Sequence, residues 1–540
     1  MSELHWSIDS FVQRGTTVFS YGWIFNESKQ IKHLSLILPY GNGQHSQLNI
    51  DYGKKREDVG AYFSDSLYST YCGFILYGTF NTPQHKKTLK LLCTYSDDSI
   101  EYIDVPESSI VSFDHQVDDN HIPKKVVVKQ FFVMLKRAFM LVKGGAFSAL
   151  YRKVKRFGNN AKNKKLVNAN DITSILPFKE RAKTIFILDH DLGGGANHYR
   201  NQLIKDKISE GYSALILAFN ISSLSYKLLI KSSKQDLSFN IPSLNFIYDL
   251  LNYITVKEII YNTGVSFINP ETIPSFLIDL KVRTNAKLIT LAHDLFPICP
   301  SHFLLNDKGK YCNIPDPRVC VSCLRNNTYG FTTLFESGDI NKWRDQWGGL
   351  IIASDKLIAF SENTLNLYRR VYSQIQPENV EIIPHTVSFS TEKAVIEQKE
   401  RLRIGVVGNI GYHKGADFVK ELALEIKNTN FPADIVVVGT IETLCPADVL
   451  TQTGPYEQDE LPNLIQNSGI NIILFTSIWP ETFSYVVQEM MELGYPVACF
   501  DLGAPAERLK HYKDGLILSS MSADKVLQEL VHFHKKVYSI

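Results

Sequence analysis

Asn471-Ile472-Ile473-Leu474-Phe475, then Pro480-Glu481-Thr482-Phe483-Ser484-Tyr485 running on to Glu489, is the stretch that decides how this chain folds. The first five residues read as a short buried strand. Thr482 or Ser484 supplies a helix N-cap, so the eight-residue step from Glu481 to Glu489 puts one carboxylate in a loop and the other inside a helix. A helix that starts at the carboxyl end of a parallel strand turns its free N–H groups toward that end, a natural seat for phosphate. Two carboxylates beside it cannot bind phosphate themselves but suit the hydroxyls of a sugar and a ribose. The stretch therefore reads as a nucleotide-sugar site.

Outward from it, the alternation of strand and helix extends back to about residue 181. Thr184–Leu188, Ser213–Phe219, Glu258–Tyr261 and Lys287–Leu291 are apolar strand candidates, and Leu402–Gly408 restarts the pattern after a charged stretch. Ile435–Val438 and Val497–Phe500 continue it. Two doubly wound α/β domains are expected, 181–393 and 394–540, with ligands in a cleft between them at the carboxyl ends of strands. Each opening strand runs into a glycine-bearing turn. The first is Asp191-Leu192-Gly193-Gly194-Gly195-Ala196-Asn197, which is not a P-loop because no Gly-Lys-Ser/Thr follows. The second is Gly408-Asn409-Ile410-Gly411-Tyr412-His413-Lys414-Gly415, whose lysine stands just before a helix, where an ammonium neutralises a diphosphate.

From about 181 to 540 the chain resembles retaining glycosyltransferases of the GT-B fold, family 4. The resemblance rests on the two glycine turns, Glu481-x7-Glu489, Gly494-Tyr495-Pro496-Val497 and Asp501-Leu502-Gly503-Ala504-Pro505-Ala506-Glu507. The segment Ile478–Tyr485 is especially similar to bacterial O-antigen and rhamnan-type polysaccharide enzymes. The resemblance implies that Glu481 bonds hydroxyls of the transferred sugar and Glu489 holds the ribose. It also implies that backbone amides near Phe483, Ser484 and Tyr485, with Lys414, contact the diphosphate, and that Gly194 and Gly195 belong to the donor site. The family often has an arginine five or six positions before the lysine. Asn409 stands near that place here, which leaves the diphosphate one charge short unless His413 or another residue contributes. His293-Asp294, at the end of the Lys287–Leu291 strand, resembles the histidine that faces the donor sugar; a loop histidine with a structural carboxylate partner is the plainer alternative. A leaving diphosphate that takes the acceptor's proton itself needs no protein nucleophile and no obligatory metal.

Directly after His293-Asp294 come Cys299, Cys312, Cys320 and Cys323, spaced C-x12-C-x7-C-x2-C. Four thiols this close, ending in C-x-x-C, suggest a structural zinc knuckle in an insertion at the cleft rim; reduced buried thiols or a redox-labile pair are the alternatives. The other four cysteines are scattered in apolar contexts, as in a reducing compartment.

The first 115 residues differ from the rest. Short alternating segments separated by Asn42-Gly43 and Ser96-Asp97-Asp98 predict a small antiparallel β-sandwich whose Trp and Tyr residues serve its core before any glycan. Residues 116–180 form a basic linker, and 121–170 hold 13 Lys or Arg and no Asp or Glu. Its apolar stretch with basic interruptions suits a helix lying on an anionic membrane surface, or a linker helix with solvated lysines. No uninterrupted apolar run approaches the ~18 residues of a membrane span, and the first residues lack a signal-peptide pattern. A net charge of +1 offers no global field for nucleic acid. The expected protein is a cytoplasmic enzyme, peripheral at the inner face of the membrane, that moves a hexose or deoxyhexose from a nucleotide sugar to a glycan or lipid-linked glycan of the O-antigen type. Two competing readings keep the fold: an epimerase or phosphorylase, and a non-catalytic glycan-binding scaffold with a degenerate GT-B module.

Overall fold

The computed structural model describes residues 3–41, 44–80, 88–113, 164–165, 183–327, 329–330, 334, 338–385, 387, 393–396 and 400–539. Of the basic linker only 164–165 fall within this set, so the membrane-surface segment lies outside the described residues. The chain forms two compact units: Met1–Thr290 with Phe331–Asp355, and Leu291–Gly330 with Lys356–Ile540.

The first unit opens with β1 (Leu4–Arg14), β2 (Thr17–Asn26), β3 (Ile31–Gly41), β4 (Gln44–Lys54), β5 (Gly73–Thr79), β6 (Lys90–Tyr95), β7 (Ile100–Asp104) and β8 (Ile110–Phe113). They form one continuous sheet, ordered β7-β6-β3-β4-β5-β2-β1-β8, in which β8 runs parallel to β1. The long strand β4 joins the halves: Ile50 to His45 pair with β3, while Asp51 to Lys54 pair with β5. Phe11, Val18, Ile24 and Phe74 of one half and Leu36, Leu48, Leu91 and Cys93 of the other share one buried cluster. The sheet is therefore folded over its own apolar face. Trp23 is buried against Phe25, Val59 and Cys72, a core role.

The same unit continues with β9 (Lys164–Lys165), β10 (Thr184–Leu188), β11 (Ser213–Asn220), β12 (Ser225–Lys231), β13 (Asp236–Ile241), β14 (Val256–Tyr261) and β15 (Lys287–Leu291), ordered β15-β14-β10-β11-β12-β13-β9. Strand β10 is buried along its whole length and parallel to both β11 and β14. The chain leaves β10 to one side and returns on the other, so a topological switch point lies between β10 and β14. The glycine turn after β10 starts the helix Gly195–Ser209, with Gly193 and Gly194 at φ near +85°, a region only glycine enters without strain.

The second unit contains the parallel pair β16 (Lys356–Ala359) and β17 (Val380–Ile382). It also holds an all-parallel sheet of β18 (Leu402–Ile410), β19 (Ala433–Ile441), β20 (Leu450–Gln452), β21 (Ile472–Phe475), β22 (Val497–Phe500) and β23 (Gly515–Leu518). The order is β20-β19-β18-β21-β22-β23, the third-second-first-fourth-fifth-sixth arrangement of a Rossmann-like sheet. Apolar side chains on both faces form two buried clusters, as a parallel sheet covered by helices requires. Residues 291–330 are tied into this unit by the helix Glu362–Val371 and the residue after it. Tyr368 donates to the Asp294 carbonyl at 2.8 Å, Tyr372 to the Pro297 carbonyl at 2.5 Å, and Arg370 to Asn313 at 2.7 and 2.8 Å.

Candidate functional site

In the second unit the chain order reverses between β18 and β21, and the two turns that follow those strands face each other across that point. Lys414 sits in the turn Tyr412–Lys414 after β18; Glu481 follows β21. Gly415, at φ +84°, starts the helix Ala416–Thr429, and a Cβ there would stand 2.1 Å from the Thr476 carbonyl oxygen. Thr476 donates to the Lys414 carbonyl at 2.6 Å, and the Ile478 N–H to the His413 carbonyl at 3.2 Å. The two turns are thus sewn together at the switch point.

Glu481 is 6 % exposed, and its Oε1 has no hydrogen-bond partner among the described residues. Its nearest cation is Lys414 Nζ at 3.9 Å, outside hydrogen-bond reach. The loop is rigid all the same: the Ala504 N–H donates to the Glu481 carbonyl at 2.8 Å, and a Cβ on Gly503 would meet the Glu481 backbone at 2.5 Å. A buried carboxylate oxygen left without a donor costs free energy unless a ligand supplies one.

Ser484 caps the helix Tyr485–Leu493, accepting from the Val487 N–H at 3.3 Å. Glu489 lies inside this helix, 4 % exposed, and accepts from Gln458 Nε2 at 2.8 Å. Burial pushes its carboxyl above the usual range, and the Gln458 contact partly opposes that. Phe483 stacks on His385 with centroids 4.4 Å apart, Tyr485 Oη lies 2.7 Å from His385 Nδ1, and the Arg508 guanidinium rides over Phe483 at 5.0 Å.

His293 joins the same group. Thr482 donates to its carbonyl at 2.6 Å, and its ring stacks on Phe360 at 4.2 Å and meets His385 edge-on at 5.1 Å. The Asp294 carboxylate accepts from the Phe296 N–H at 2.9 Å, capping its own turn. His413 stacks flat on Phe303 at 4.3 Å, while Asn409 accepts from Thr440 at 2.6 Å on an exposed strand end. Glu507 accepts from the N–H groups of Glu362 and Asn363, closing the start of the Glu362 helix.

The second unit therefore brings Lys414, His413, Glu481, Phe483, Ser484, Tyr485, Glu489 and His293 around the carboxyl ends of β18 and β21. Gly194 and Gly195 belong to the other unit. Sequence reasoning missed His385 and Phe303. His385 follows β17 directly after Pro384, and that place at a strand end was its available signal.

Among the described residues, the four cysteines of 299–323 form no disulfide. Cys320 and Cys323 share one helix, and both raise the Cys312 thiol, whose main cause of elevation is burial. Among the described residues, no three His, Cys, Asp or Glu side chains are gathered as a metal ion needs.

In the first unit the corresponding acid is Asp189, fully buried after β10. It accepts from Arg200 Nη1 at 2.8 Å, Asn197 Nδ2 at 2.7 Å and the His190 N–H at 2.8 Å. Asn197 in turn accepts from the Gly193 N–H at 2.7 Å and so holds the glycine turn.

With this geometry in place, residues 389–533 match the family described as glycosyl transferases group 1. Among solved structures, the chain is similar to the lipopolysaccharide outer core galactosyltransferase WaaB in its apo form, at 13% identity over 65% of this chain and 89% of that one, TM-score 0.42. It is similar to Anabaena HepE in complex with UDP at 14% identity over 65% and 89%, TM-score 0.44. A glycosyltransferase from Rickettsia africae is similar at 15% identity over 66% and 89%, TM-score 0.42. No curated protein matches the chain by sequence.

Proposed function

We propose that the protein is a nucleotide-sugar-dependent glycosyltransferase that transfers a hexose or deoxyhexose with retention to a glycan or lipid-linked glycan acceptor of the surface-polysaccharide type. One observation carries the reading: a buried carboxylate oxygen of Glu481 stands unpaired beside Lys414 at the switch point of a parallel Rossmann-like sheet. The match of 389–533 to glycosyl transferases group 1 supports it, because that stretch contains Lys414, Glu481 and Glu489.

In this reading Lys414 and the N–H groups at the start of the Tyr485 helix stabilise the departing diphosphate, and Glu489 holds the ribose. Glu481 orients the sugar. His293, fixed through its carbonyl by Thr482, faces the sugar or the leaving phosphate. No protein nucleophile and no obligatory metal enter. A membrane contact through 121–170 belongs to the same reading. The described residues contain no helix long and apolar enough to cross a membrane.

The test is a thermal-shift panel of UDP, GDP and dTDP with their sugars. A selective stabiliser is expected to raise the midpoint of wild type and not of Lys414→Ala. No stabilisation by any panel member would sink the reading.

A further inference from the structure

Two residues before Glu481, the indole of Trp479 presents a second unanswered group. Its Nε1–H is buried and has no acceptor among the described residues. The ring is locked in place: it meets Phe303 edge-on, with centroids 4.9 Å apart and planes at 63°. Phe303 in turn lies flat on His413, planes 6° apart, and His413 precedes Lys414. Phe303 comes from the 299–330 segment, which docks a second time on the same turn. There Tyr412 donates to the Gly309 carbonyl at 3.1 Å and stacks on Tyr329 at 4.9 Å. Gly309 permits that approach, since a Cβ would stand 2.1 Å from Tyr412 Oη.

A buried N–H donor and a buried carboxylate oxygen thus sit on one short loop, both unanswered, both beside one lysine turn. Leaving either without a partner costs about 1–3 kcal/mol, so a fold that keeps both rigid has something to pair them with. A hydroxyl group meets both needs, since its oxygen accepts from the indole while its proton goes to the carboxylate. Phosphate oxygens have no proton for Glu481 and are repelled by it.

We infer that Trp479 is a further donor-binding residue, whose indole N–H donates to a hydroxyl oxygen of the transferred sugar next to Glu481, on a loop that the 299–330 segment packs against through Phe303. This deepens the donor-site reading and rests on it. Sugars bearing that hydroxyl are selected over those lacking it, because a missing hydroxyl strands both groups at once.

The experiment uses the full chain and the nucleotide sugar that stabilises it in the panel, with the parent nucleoside diphosphate as control. Trp479→Phe keeps an aromatic ring at this position and removes the N–H together with part of the indole's volume, so the diphosphate control separates loss of the sugar contact from a general disturbance of the loop. By calorimetry it is expected to weaken the nucleotide sugar about tenfold while leaving the diphosphate unchanged, as loss of one hydrogen bond to the sugar requires. The indole N–H resonance of Trp479 in wild type is expected to move with the nucleotide sugar and not with the diphosphate. Wild-type affinity for the nucleotide sugar in Trp479→Phe, or equal weakening of sugar nucleotide and diphosphate, overturns the inference and leaves the donor site standing. If Lys414→Ala also binds both ligands as wild type does, the donor-site reading fails as well.

Discussion

The two switch points pose the same topological problem and answer it in opposite ways. After β10, Asp189 is consumed by its own fold: Arg200, Asn197 and the His190 N–H occupy its carboxylate. After β21, Glu481 is also buried, yet the cation beside it stays at 3.9 Å and one of its oxygens has no donor among the described residues. A buried acid whose lone pairs are filled is a structural part; one held rigid and left unfilled is prepared for something that arrives later. Burial alone does not separate the two, but hydrogen-bond satisfaction does.

The sharpest way to break this comparison is to remove one partner from each acid. Arg200→Ala leaves Asp189 as an uncompensated buried charge and is expected to cost about 3–5 kcal/mol in urea unfolding. Glu481→Gln removes a charge that no close partner stabilises, so stability is expected to stay within about 1 kcal/mol while sugar transfer collapses. Equal destabilisation by both variants would erase the distinction between the two sites.

Glycines sharpen it next. Gly415→Ala combines a left-handed backbone, about 1–2 kcal/mol, with a Cβ driven into the Thr476 carbonyl, about 1–3 kcal/mol of overpacking. Gly194→Ala meets no atom within 4 Å and carries only the cost of its own backbone, φ 85° and ψ −170°, about 1–3 kcal/mol. Thermal unfolding is expected to rank Gly415→Ala clearly below Gly194→Ala.

Lys414→Ala probes the open site alone. Losing one charge-assisted contact to a diphosphate is worth about 1.5–3 kcal/mol, or roughly 10- to 150-fold in affinity by calorimetry. Folding stability is expected to change little, because the lysine is a third exposed and makes no close ion pair.

Much of this contrast was legible in the sequence, and the illegible part has physical causes. The apolar runs at 184–188, 402–408, 435–438, 471–475 and 497–500 announced buried parallel strands, because strands covered on both faces carry no alternation to confuse. The hairpin of β12 and β13 escaped because its half-buried, lysine-bearing segments give a weaker pattern. The N-terminal strands were foreseen, but not that β4 serves both halves and makes one sheet of them. The placement of Lys414, Glu481, Ser484 and Glu489 could be read because each sits at a fixed offset from a strand or helix end. His385, Phe303 and Trp479 could not. Their positions in the site come from ring contacts spanning about a hundred residues or more, such as Phe303 with His413 and His385 with Phe483, and such pairings leave no local trace.

The smallest effect expected concerns Glu489, the second buried acid of the open site. Burial raises its folded carboxyl above the unfolded value, so folding favours the protonated form. Any stability this contributes is fully present below the unfolded value and is lost as pH rises through the raised folded one. In the proposed reading ribose binding has the opposite sign, because only the carboxylate accepts from both hydroxyls. Affinity for the nucleoside diphosphate is therefore expected to fall as pH drops through the raised carboxyl value, beginning nearer neutrality than an ordinary glutamate allows. The diphosphate titrates in part of the same range, so the quantity to measure is the ratio of wild-type to Glu489→Gln affinity at each pH. That ratio is expected to shrink toward one on the acid side, from about tenfold at neutral pH, the weight of one hydrogen bond to a charged group. A ratio flat from acid to neutral pH would show that Glu489, like Asp189, is spent on the fold.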